Sequence, residues 1–449
     1  MNTTRHIAIV GGGFAGTTLA RALERQMPPG WQLVLISEES YTTFNPMLAE
    51  VVGASVFPEH VVAPIRQMLS KSRFVMGRVS GVDLARKVVQ AHTLAGVQDI
   101  AFDHLVLAFG TRARLDLVPG LAEHALPLKL VGDALHIRNR VLQRVARIEL
   151  ETDPQVRQQL GRFVVIGGGF SGVEVAGAIA DFLKSLCRWY PRVAASELQV
   201  TLLHDQPRLL PELPESLGLA AAKSMGQRGI DVRLGARAVQ VQADGVRLAN
   251  GDFIDSATVV CTIGTQANPL AQKLGLPSTR GRLDAEADMS VRGAPGVWAL
   301  GDCAAVRNQA DGALAPPTAQ FAVAQAQLLA KNILAHIAGR PTEAFAHQSK
   351  GAMATTGHLK GVAHLGLGGG GARGIRLAGL PAWLLWRAYY LQRMPTWGRK
   401  LRIWVEWTWG MFFPADITHL RFTRTPDIDR DSELPLPVPF LTSSPTPTR

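Results

Sequence analysis

Two glycine-rich stretches, "IAIVGGGFAG" at residues 7–16 and "VVIGGGFSGVE" at residues 164–174, decide the fold of this 449-residue chain. In both, an apolar run leads into the pattern G-x-G-x-x-G, which is followed by residues of helical character and then by a second apolar run. In such a βαβ unit the first glycine makes the turn, the second lets the backbone approach a pyrophosphate, and the third lets the helix pack closely on the strand. One dinucleotide needs only one such loop, so the repeat predicts two bound dinucleotides.

The first copy has the complete pattern of a dinucleotide site. Strand Ile7–Val10 precedes the loop, a helix is predicted over Thr17–Gln26, and Leu33–Ile36 is the next strand. Glu38, at the end of that strand, can accept hydrogen bonds from a ribose, and the helix N-terminus offers free N–H groups to phosphates. The residues predicted to contact this cofactor at the loop are Gly11, Gly13, Phe14, Ala15 and Gly16.

The second copy departs from the pattern at its acidic residue. A helix is predicted through about Trp189 and a strand over Val200–Leu203. His204 ends that strand and Asp205 follows it, so Asp205 is the candidate ribose ligand, displaced by one position. The loop residues predicted to contact the second cofactor are Gly167, Gly169 and Gly172.

The first domain is predicted to be interrupted by the second. "LAFGT" (107–111) and "TIGT" (262–265) each read as a strand that leaves a nucleotide domain at a glycine hinge, and "VWALGDCA" (297–304) is a further strand ending in Gly-Asp. The sequence therefore predicts an α/β fold with two Rossmann-like domains, the second inserted in the first. The predicted limits are 1–125 and 275–350 for the first domain, 126–155 for a helical connector around 130–150, 156–274 for the second domain, 351–433 for a C-terminal region and 434–449 for a disordered tail.

Charge and cysteine content restrict the possible compartments and partners. The net charge of +11 fits nucleic acid, an anionic membrane surface or an acidic substrate. The three cysteines, Cys187, Cys261 and Cys303, have no metal-ligand or disulfide spacing, which suggests a reducing compartment. We expect no signal peptide, because the first strand begins within ten residues, and no membrane span, because no apolar run reaches 18 residues.

The C-terminal region combines tryptophan with basic residues. Between residues 372 and 425 there are nine Lys or Arg and two acids, Glu406 and Asp416, and helices are predicted over 380–394 and 397–413. They read as core helices, as a nucleic-acid surface or as interfacial membrane helices, and we favour the last, an amphipathic membrane anchor on anionic lipid. We expect no nucleic-acid partner. A flexible loop is predicted at 366–371, "GLGGGG".

Two carboxylates are candidates for chemistry. Glu174 lies in the first helical turn after the second loop, where it either complements the helix dipole or acts near a nicotinamide and a reacting ring. Asp302 follows Gly301 at a strand end, where it either belongs to an ordinary turn or accepts hydrogen bonds from a polyol such as a flavin ribityl chain. The Ala/Gln-rich helix predicted within residues 316–327 reads as an ordinary helix on its own pattern.

Taken together, both loops, "FNPMLAEVVGA" (44–54), "LGDCA" (300–304), the "TAQ-x-A" stretch (318–322) and the Trp/Arg segment resemble the type II NADH dehydrogenases over about residues 5–425. The resemblance implies FAD in the first domain, NADH in the second, and hydride transfer to FAD followed by two-electron reduction of a membrane quinone without proton pumping. Glu174 matches the glutamate that this family has near the flavin and quinone. Ala319 and Gln320 match the start of its A-Q-x-A-x-Q motif, whose final glutamine falls on Ala324, with Gln325 one place later. The predicted catalytic residues are Glu174, Gln320 and Gln325, and the further predicted cofactor contacts are Val79, Gly110, Thr111, Gly264, Asp302 and Ala319.

Several alternatives stay open. NADPH could replace NADH because of His204, and the oligomeric state, including a homodimer, is undetermined. A sulfide:quinone reductase has the same architecture but needs a cysteine pair at the flavin, and a disulfide reductase needs a C-x-x-x-x-C that is absent near residues 42–47. A non-catalytic flavin-binding redox sensor or scaffold is the competitor from another class. The expected location is the cytoplasmic face of the cell membrane, as a peripheral protein.

Overall fold

The computed structural model describes residues 4–366 and 374–420. One compact unit extends to Asp416, and Ile417–Leu420 begin a second unit and form no helix or strand. The loop predicted at 366–371 lies outside the described residues except for Gly366, and the disordered tail predicted at 434–449 lies outside them entirely.

The described chain contains helices and strands, with several runs of consecutive strands. The helices are α1 Phe14–Glu24, α2 Leu48–Val52, α3 Ile65–Met68, α4 Leu121–His124, α5 Val131–Leu150, α6 Pro154–Gly161, α7 Phe170–Leu186, α8 Glu215–Gly226, α9 Pro269–Lys273, α10 Ala319–Ile337, α11 Leu380–Arg393 and α12 Trp397–Trp409. The strands are β1 Arg5–Val10, β2 Trp31–Ser37, β3 Tyr41–Thr43, β4 Val62–Pro64, β5 Arg73–Asp83, β6 Val88–Thr93, β7 Gly96–Ala101, β8 His104–Leu107, β9 Thr111–Ala113, β10 Ala125–Pro127, β11 Arg162–Ile166, β12 Gln199–Leu203, β13 Asp231–Arg233, β14 Ala238–Gln242, β15 Gly245–Leu248, β16 Phe253–Asp255, β17 Thr258–Cys261, β18 Thr265–Ala267, β19 Ser278–Thr279, β20 Arg282–Ala285, β21 Val297–Ala299, β22 Ala304–Val306, β23 Gly351–Gly357, β24 Lys360–Gly366 and β25 Gly374–Ala378.

The first sheet takes strands from both ends of the chain. Its order is β21-β8-β1-β2-β5-β6-β7, in which β1 pairs in parallel with β2 and β8, and β21 pairs in parallel with β8. The inner strands are nearly continuous apolar runs, as expected for parallel strands that are covered on both faces. β21 therefore returns to this sheet after an intervening stretch of almost 190 residues.

The second sheet contains the second glycine loop. Its order is β10-β17-β11-β12-β13, and all four pairings are parallel. Strand β10 starts at Ala125, the last residue of the predicted first domain, and pairs with β17 in this second sheet. A small antiparallel sheet, β14-β15-β16, shares an apolar core with it.

The two glycine hinges lead into strands that pair with each other. Strands β9 and β18 directly follow Gly110 and Gly264. They form an antiparallel pair in which Thr111 faces Ala267. Both hinge glycines have positive φ angles, +63° and +74°, which a residue with a Cβ rarely adopts. The two chain crossings between the sheets are thus held side by side.

The C-terminal region begins with a sheet that the sequence did not predict. Strands β23, β24 and β25 form an antiparallel sheet, and α11 packs on it. Helix α11 ends before Met394, whose extended conformation (ψ 129°) is the one favoured before Pro395. Helix α12 is docked through Glu406, whose Oε1 lies 2.8 Å from His60 Nδ1. None of the helices in residues 4–366 and 374–420 is both long enough and apolar enough to cross a membrane.

Candidate active site

The first glycine loop is built to hold a phosphate group. Gly11 has a φ of +118°, and a Cβ on Gly16 would overlap the carbonyl oxygen of Gly11, so neither position tolerates a side chain. A Cβ on Gly13 would instead meet open space. Gly13 is the N-cap of α1 and offers no side-chain cap, and Thr17 N–H makes the first bond back to it, so the preceding amides at 14–16 face outward. This cradle fits a dinucleotide pyrophosphate.

The second loop repeats this geometry closely. Gly167 has a φ of +116°, and a Cβ on Gly172 would overlap the carbonyl oxygen of Gly167. Gly169 is the uncapped N-cap of α7, with φ −77° and ψ −171° against −78° and −169° at Gly13. The two loops thus agree in backbone angles as well as in sequence, and the second also fits a pyrophosphate.

The residues that follow the second strand of each unit are also equivalent. Gly11 N–H donates to Ile36 and Gly167 N–H donates to Leu203, both at the backbone carbonyl. The next positions are therefore Ser37 and His204, and the exposed carboxylates Glu38 and Asp205 follow them.

The two exposed carboxylates have different surroundings. Glu38 Oε2 lies 3.1 Å from Arg112 of β9, so the predicted ribose acceptor is in an ion pair. Asp205 Oδ1 lies 3.6 Å from His204 Nδ1, and that nitrogen accepts a hydrogen bond from Gly168 N–H at 3.1 Å. Burial lowers the pKa of His204, which keeps the ring neutral and able to accept.

The side chain of Gln325, predicted to act in catalysis, accepts a hydrogen bond from the backbone of Gly301. The side chain is 1% exposed, and its Oε1 accepts a hydrogen bond from Gly301 N–H at 2.7 Å. The residue lies under the turn that carries Asp302 and supports that turn. A contact between Gln325 and a quinone stays a prediction.

Two nearby cations favour the charged form of Asp302, and burial opposes it. Burial raises the pKa of Asp302, and the charges of Lys129 and Arg282 oppose that rise. Lys129 Nζ is also 3.4 Å from Thr111 Oγ1, so three segments distant in sequence meet here.

The remaining predicted contacts lie on α10, on β5 and at the two hinges. Ala319 and Gln320 open α10 behind Thr318, which makes no side-chain cap, and Gln320 Oε1 accepts a bond from Lys350 N–H at 3.4 Å. Val79 lies in β5, where the register with β6 shifts. Gly110 and Gly264 are the hinges described above.

A cavity of about 150 Å³ lies between segments that are distant in sequence. It is lined by Asn45, Leu48 and Ala49 at and before α2, and by Ser171 and Glu174 of α7. Further lining residues come from the hinge strands and the segment before α5: Ala113, Leu115, Pro127, Leu128, Lys129, Cys261, Thr262, Ile263, Gly264 and Thr265. Glu174 of α7 therefore faces the same cavity as residues of α2 and of the strands around the two hinges.

Glu174 is a buried carboxylate with two donors. Its Oε1 accepts from Trp386 Nε1 at 2.9 Å and from Thr355 N–H at 3.3 Å. Burial is the largest influence and raises the pKa of Glu174 to about 8, and the nearby charge of Glu50 acts in the same direction. The interpretation of Glu174 as a helix-dipole residue does not account for this burial.

Sequence reasoning missed the partners of Glu174. Trp386 and Thr355 lie 212 and 181 positions away, on elements whose packing no local pattern reveals. Within a Trp-rich segment, the local sequence does not distinguish a buried tryptophan that donates a hydrogen bond from an exposed one that binds a membrane.

The six clustered tryptophans divide into two groups. Trp383, Trp386 and Trp407 are buried within the protein, a division that the amphipathic-anchor prediction did not make. Trp397, Trp404 and Trp409 are 83%, 54% and 59% exposed. With Leu401, 63% exposed, Trp397 and Trp404 recur at helical spacing and form an exposed apolar face on α12.

The cysteines do not form a reactive pair. All three are free thiols. Cys303 is buried, donates to Leu107 and Leu300 carbonyls at 3.3 Å, and has its pKa raised to about 12 by burial. Cys261 lines the cavity alone among the three, and burial raises its pKa too.

Comparison with known proteins gives a consistent relationship. The family model described as pyridine nucleotide-disulphide oxidoreductase matches residues 5–326. The chain is 30% identical to the type II NADH:quinone oxidoreductase Ndh of Mycobacterium tuberculosis, over 90% of this chain and 88% of that protein. It is 31% identical to demethylphylloquinone reductase NdbB of Synechocystis, over 89% and 95% respectively. Among solved structures, NDH2 from Plasmodium falciparum in complex with NADH has the same fold, with a TM-score of 0.84 at 17% identity over 92% of this chain and 100% of that one.

Proposed function

Because the chain belongs to the pyridine nucleotide-disulphide oxidoreductase family and to its type II NADH:quinone oxidoreductases, we propose that its two glycine loops divide the cofactors, FAD on the first and NADH on the second. The protein is an FAD-dependent enzyme that transfers electrons from NADH to a quinone. The observation that carries the assignment of sites is the cavity lined by Glu174, which lies between the segments that hold the two loops.

The domain assignment follows the two parallel sheets. The first sheet, with both its N-terminal strands and β21, would be the FAD domain, and the second sheet would be the NADH domain. β9 and β18 would be the paired crossings between them. This arrangement supports residues 1–125 and 275–350 as one domain and 156–274 as the other.

In the first domain the backbone would hold the flavin dinucleotide. The free amides of residues 14–16 would bind its pyrophosphate, and Glu38 would accept from its adenosine ribose after release from Arg112. Asp302, fixed by the Gln325 support of its turn, would accept hydroxyl donors of the ribityl chain. When bound, FAD supplies the two-electron chemistry that accepts hydride from NADH and returns electrons to a quinone.

Glu174 would hold the proton that the reaction needs. Reduction of a quinone to a quinol by NADH takes up one hydride equivalent and one further proton. A carboxyl whose pKa is about 8 carries a proton at neutral pH and is matched to general acid catalysis there. Glu174 lines the cavity, so it is placed to release that proton to an acceptor inside it.

The two residues that follow β12 would decide between NADH and NADPH. His204 is turned to its own loop, and Asp205 is the carboxylate left for the ribose. A carboxylate favours a 2′-hydroxyl over a 2′-phosphate, which supports NADH as the donor.

The exposed face of α12 would bind the membrane. Trp397, Leu401 and Trp404 present apolar area, and Lys400 lies 4.9 Å from the Trp397 ring. Indole rings with adjacent cations suit the headgroup region of an anionic bilayer. The enzyme would thus be peripheral, on the cytoplasmic face of the cell membrane, where a lipid-soluble quinone arrives.

An anaerobic titration of the purified protein tests the function. NADH should bleach the flavin absorbance at about 450 nm, and a soluble quinone should restore it. Bleaching without recovery would mean another acceptor, and no bleaching with NADH or NADPH would overturn the assignment. Sulfide added in place of NADH is the control for the related sulfide-oxidising class.

A further inference from the structure

Two buried tryptophans of the C-terminal helices donate to two carboxylates, of which Glu174 lines the cavity. Trp386 Nε1 of α11 donates to Glu174 Oε1 at 2.9 Å, and Trp407 Nε1 of α12 donates to Glu50 Oε2 at 3.2 Å. The two indole rings are 6.2 Å apart. Helix α12, which presents the exposed apolar face, thus donates to a carboxylate of α2, and its neighbour α11 donates to a carboxylate of α7.

A cation–π contact of Arg387 in α11 joins this helix to α12. The Arg387 guanidinium lies 3.8 Å from the Trp383 ring centroid and 4.7 Å from that of Trp407. Burial lowers the pKa of Arg387, and the charge of Glu50 opposes this effect. Glu50 thus has a cation as well as an indole on the side of the C-terminal helices.

Few charged groups surround Glu174. Glu50 faces it from α2, and Tyr390, whose pKa is raised by burial and by the charge of Glu174, faces it from α11. Strands β12 and β23, which pack on α7, contain no titratable side chain, and β23 contributes the Thr355 amide. Lys129 and Cys261 line the same cavity.

The two bonds to Glu174 leave one oxygen available. Both donors fall on Oε1, and Oε2 makes no hydrogen bond to any residue within 4–366 and 374–420. A carboxyl held by one oxygen keeps its direction while the other oxygen can exchange a proton.

We propose that Trp386 is a positioning residue of the quinone-reducing site, whose indole N–H fixes Oε1 of Glu174 so that Oε2 faces the cavity. This rests on the role proposed above for Glu174. The C-terminal helices then complete the site, and their docking and the chemistry are linked through one indole.

Removal of the Trp386 N–H should change the pKa of Glu174 in one direction. A hydrogen bond donated to a carboxylate favours the ionised form, so its removal raises the pH at which the group loses its proton. The expected shift is about one pH unit upward, since hydrogen bonds to charged groups are among the stronger ones.

Infrared spectroscopy of the holoenzyme tests this without substrate. Between pH 6 and 10 ordinary carboxyls are ionised, so the protonated C=O band of Glu174, identified as the band missing from Glu174→Gln, can be followed alone. The variant is Trp386→Phe, which keeps an aromatic ring and removes the N–H. The matched control is Trp383→Phe, at a buried tryptophan of the same helix whose indole N–H donates to no residue that the structure describes.

We expect the band of Trp386→Phe to disappear about one pH unit higher than in the wild type, and that of Trp383→Phe to stay within a few tenths of a unit. An unchanged midpoint in Trp386→Phe, or an equal shift in Trp383→Phe, would overturn the proposal. If Trp386→Phe loses its flavin, Trp386→Gln, which keeps an N–H donor, is compared with Trp386→Leu, which has none. A higher midpoint in the leucine variant alone supports the proposal, and equal midpoints overturn it. Because neither NADH nor quinone is present, a failed turnover assay leaves this result standing, and the two failures can be told apart.

Discussion

The ring of His204 accepts a hydrogen bond at Nδ1 from the amide of Gly168, 3.1 Å away. The residue that directly follows β12 therefore faces its own glycine loop. A neutral ring is required for this bond, and burial provides it by lowering the pKa of His204. The consequence for nucleotide recognition falls on the next residue, Asp205, which is the exposed carboxylate.

Asp205→Asn should weaken discrimination against NADPH. The substitution removes the negative charge that would repel a 2′-phosphate and keeps the size of the side chain. We expect the ratio of kcat/KM for NADPH to that for NADH to rise about tenfold, equivalent to about 1.4 kcal/mol. Steady-state kinetics with both donors measure it, and Asp205→Glu, which keeps the charge, is the control. A ratio unchanged in the asparagine variant would remove Asp205 from nucleotide recognition.

Alanine at the third glycine of each loop should separate the two cofactors. In Gly16→Ala and Gly172→Ala the new Cβ would overlap the carbonyl oxygen of the first loop glycine. Gly16→Ala should therefore be purified with little or no flavin, whereas Gly172→Ala should retain flavin that NADH no longer bleaches. Flavin absorbance per protein, followed by an anaerobic NADH titration, measures both. Gly226→Ala, at the end of α8 where a Cβ would meet open space, is the control. A Gly172→Ala protein that loses only flavin would reverse the assignment.

The sequence was sufficient for those parts of the structure that depend on local pattern. Both loops, their strands and α5 are where residue pattern predicted them, because a βαβ unit is specified by contiguous residues. The sheet β23-β24-β25 was missed, because its short, glycine-containing strands have no strong alternation. The contact between Glu174 and Trp386 was also missed, because it depends on packing between elements 212 positions apart.

Gln325→Leu should impair flavin retention rather than quinone affinity. The substitution leaves the buried N–H of Gly301 without its acceptor, at a cost of about 1–3 kcal/mol, and so loosens the turn that carries Asp302. We expect flavin to dissociate at least roughly tenfold more readily, measured by fluorescence of released flavin on dilution. Gln327→Leu, at an exposed position of the same helix, is the control. A higher KM for quinone with unchanged flavin retention would support Gln325 as a quinone contact.

Glu174→Gln should lower turnover more than flavin occupancy. Loss of the proton donor should reduce quinone-dependent kcat about 100-fold, a typical effect of removing a general acid, while absorbance shows near-normal flavin content. Equal losses of flavin and of activity would indicate a structural role only.

The same substitution should also change the pH dependence of stability. The pKa of Glu174 is raised from its ordinary value of 4.5 to about 8, so the favourable contribution of the protonated group is full below pH 4.5 and is lost as pH rises toward 8. The Tm of Glu174→Gln minus that of the wild type should increase from pH 5 to 8 and level off above. Thermal unfolding across this range measures the difference, and Glu123→Gln, at an exposed position, controls for a lost charge. A constant difference would mean that Glu174 is ionised throughout.

The exposed face of α12 should control membrane binding independently of the reaction. Removal of residues 380–449 would release the protein from membranes, but it would also remove Trp386 and Trp407 from the core, so it cannot separate anchor from site. Trp397→Ala with Trp404→Ala changes only exposed rings. Each should weaken partition to anionic vesicles by about tenfold, because burial of an aromatic side chain contributes about 1.5–3 kcal/mol. Reduction of a water-soluble quinone should be unaffected. Vesicle sedimentation at low and high salt measures binding, and Trp189→Ala, an exposed tryptophan of the second domain that stacks with Arg188, is the control. If the double variant sediments like the wild type, the membrane contact lies elsewhere on the protein.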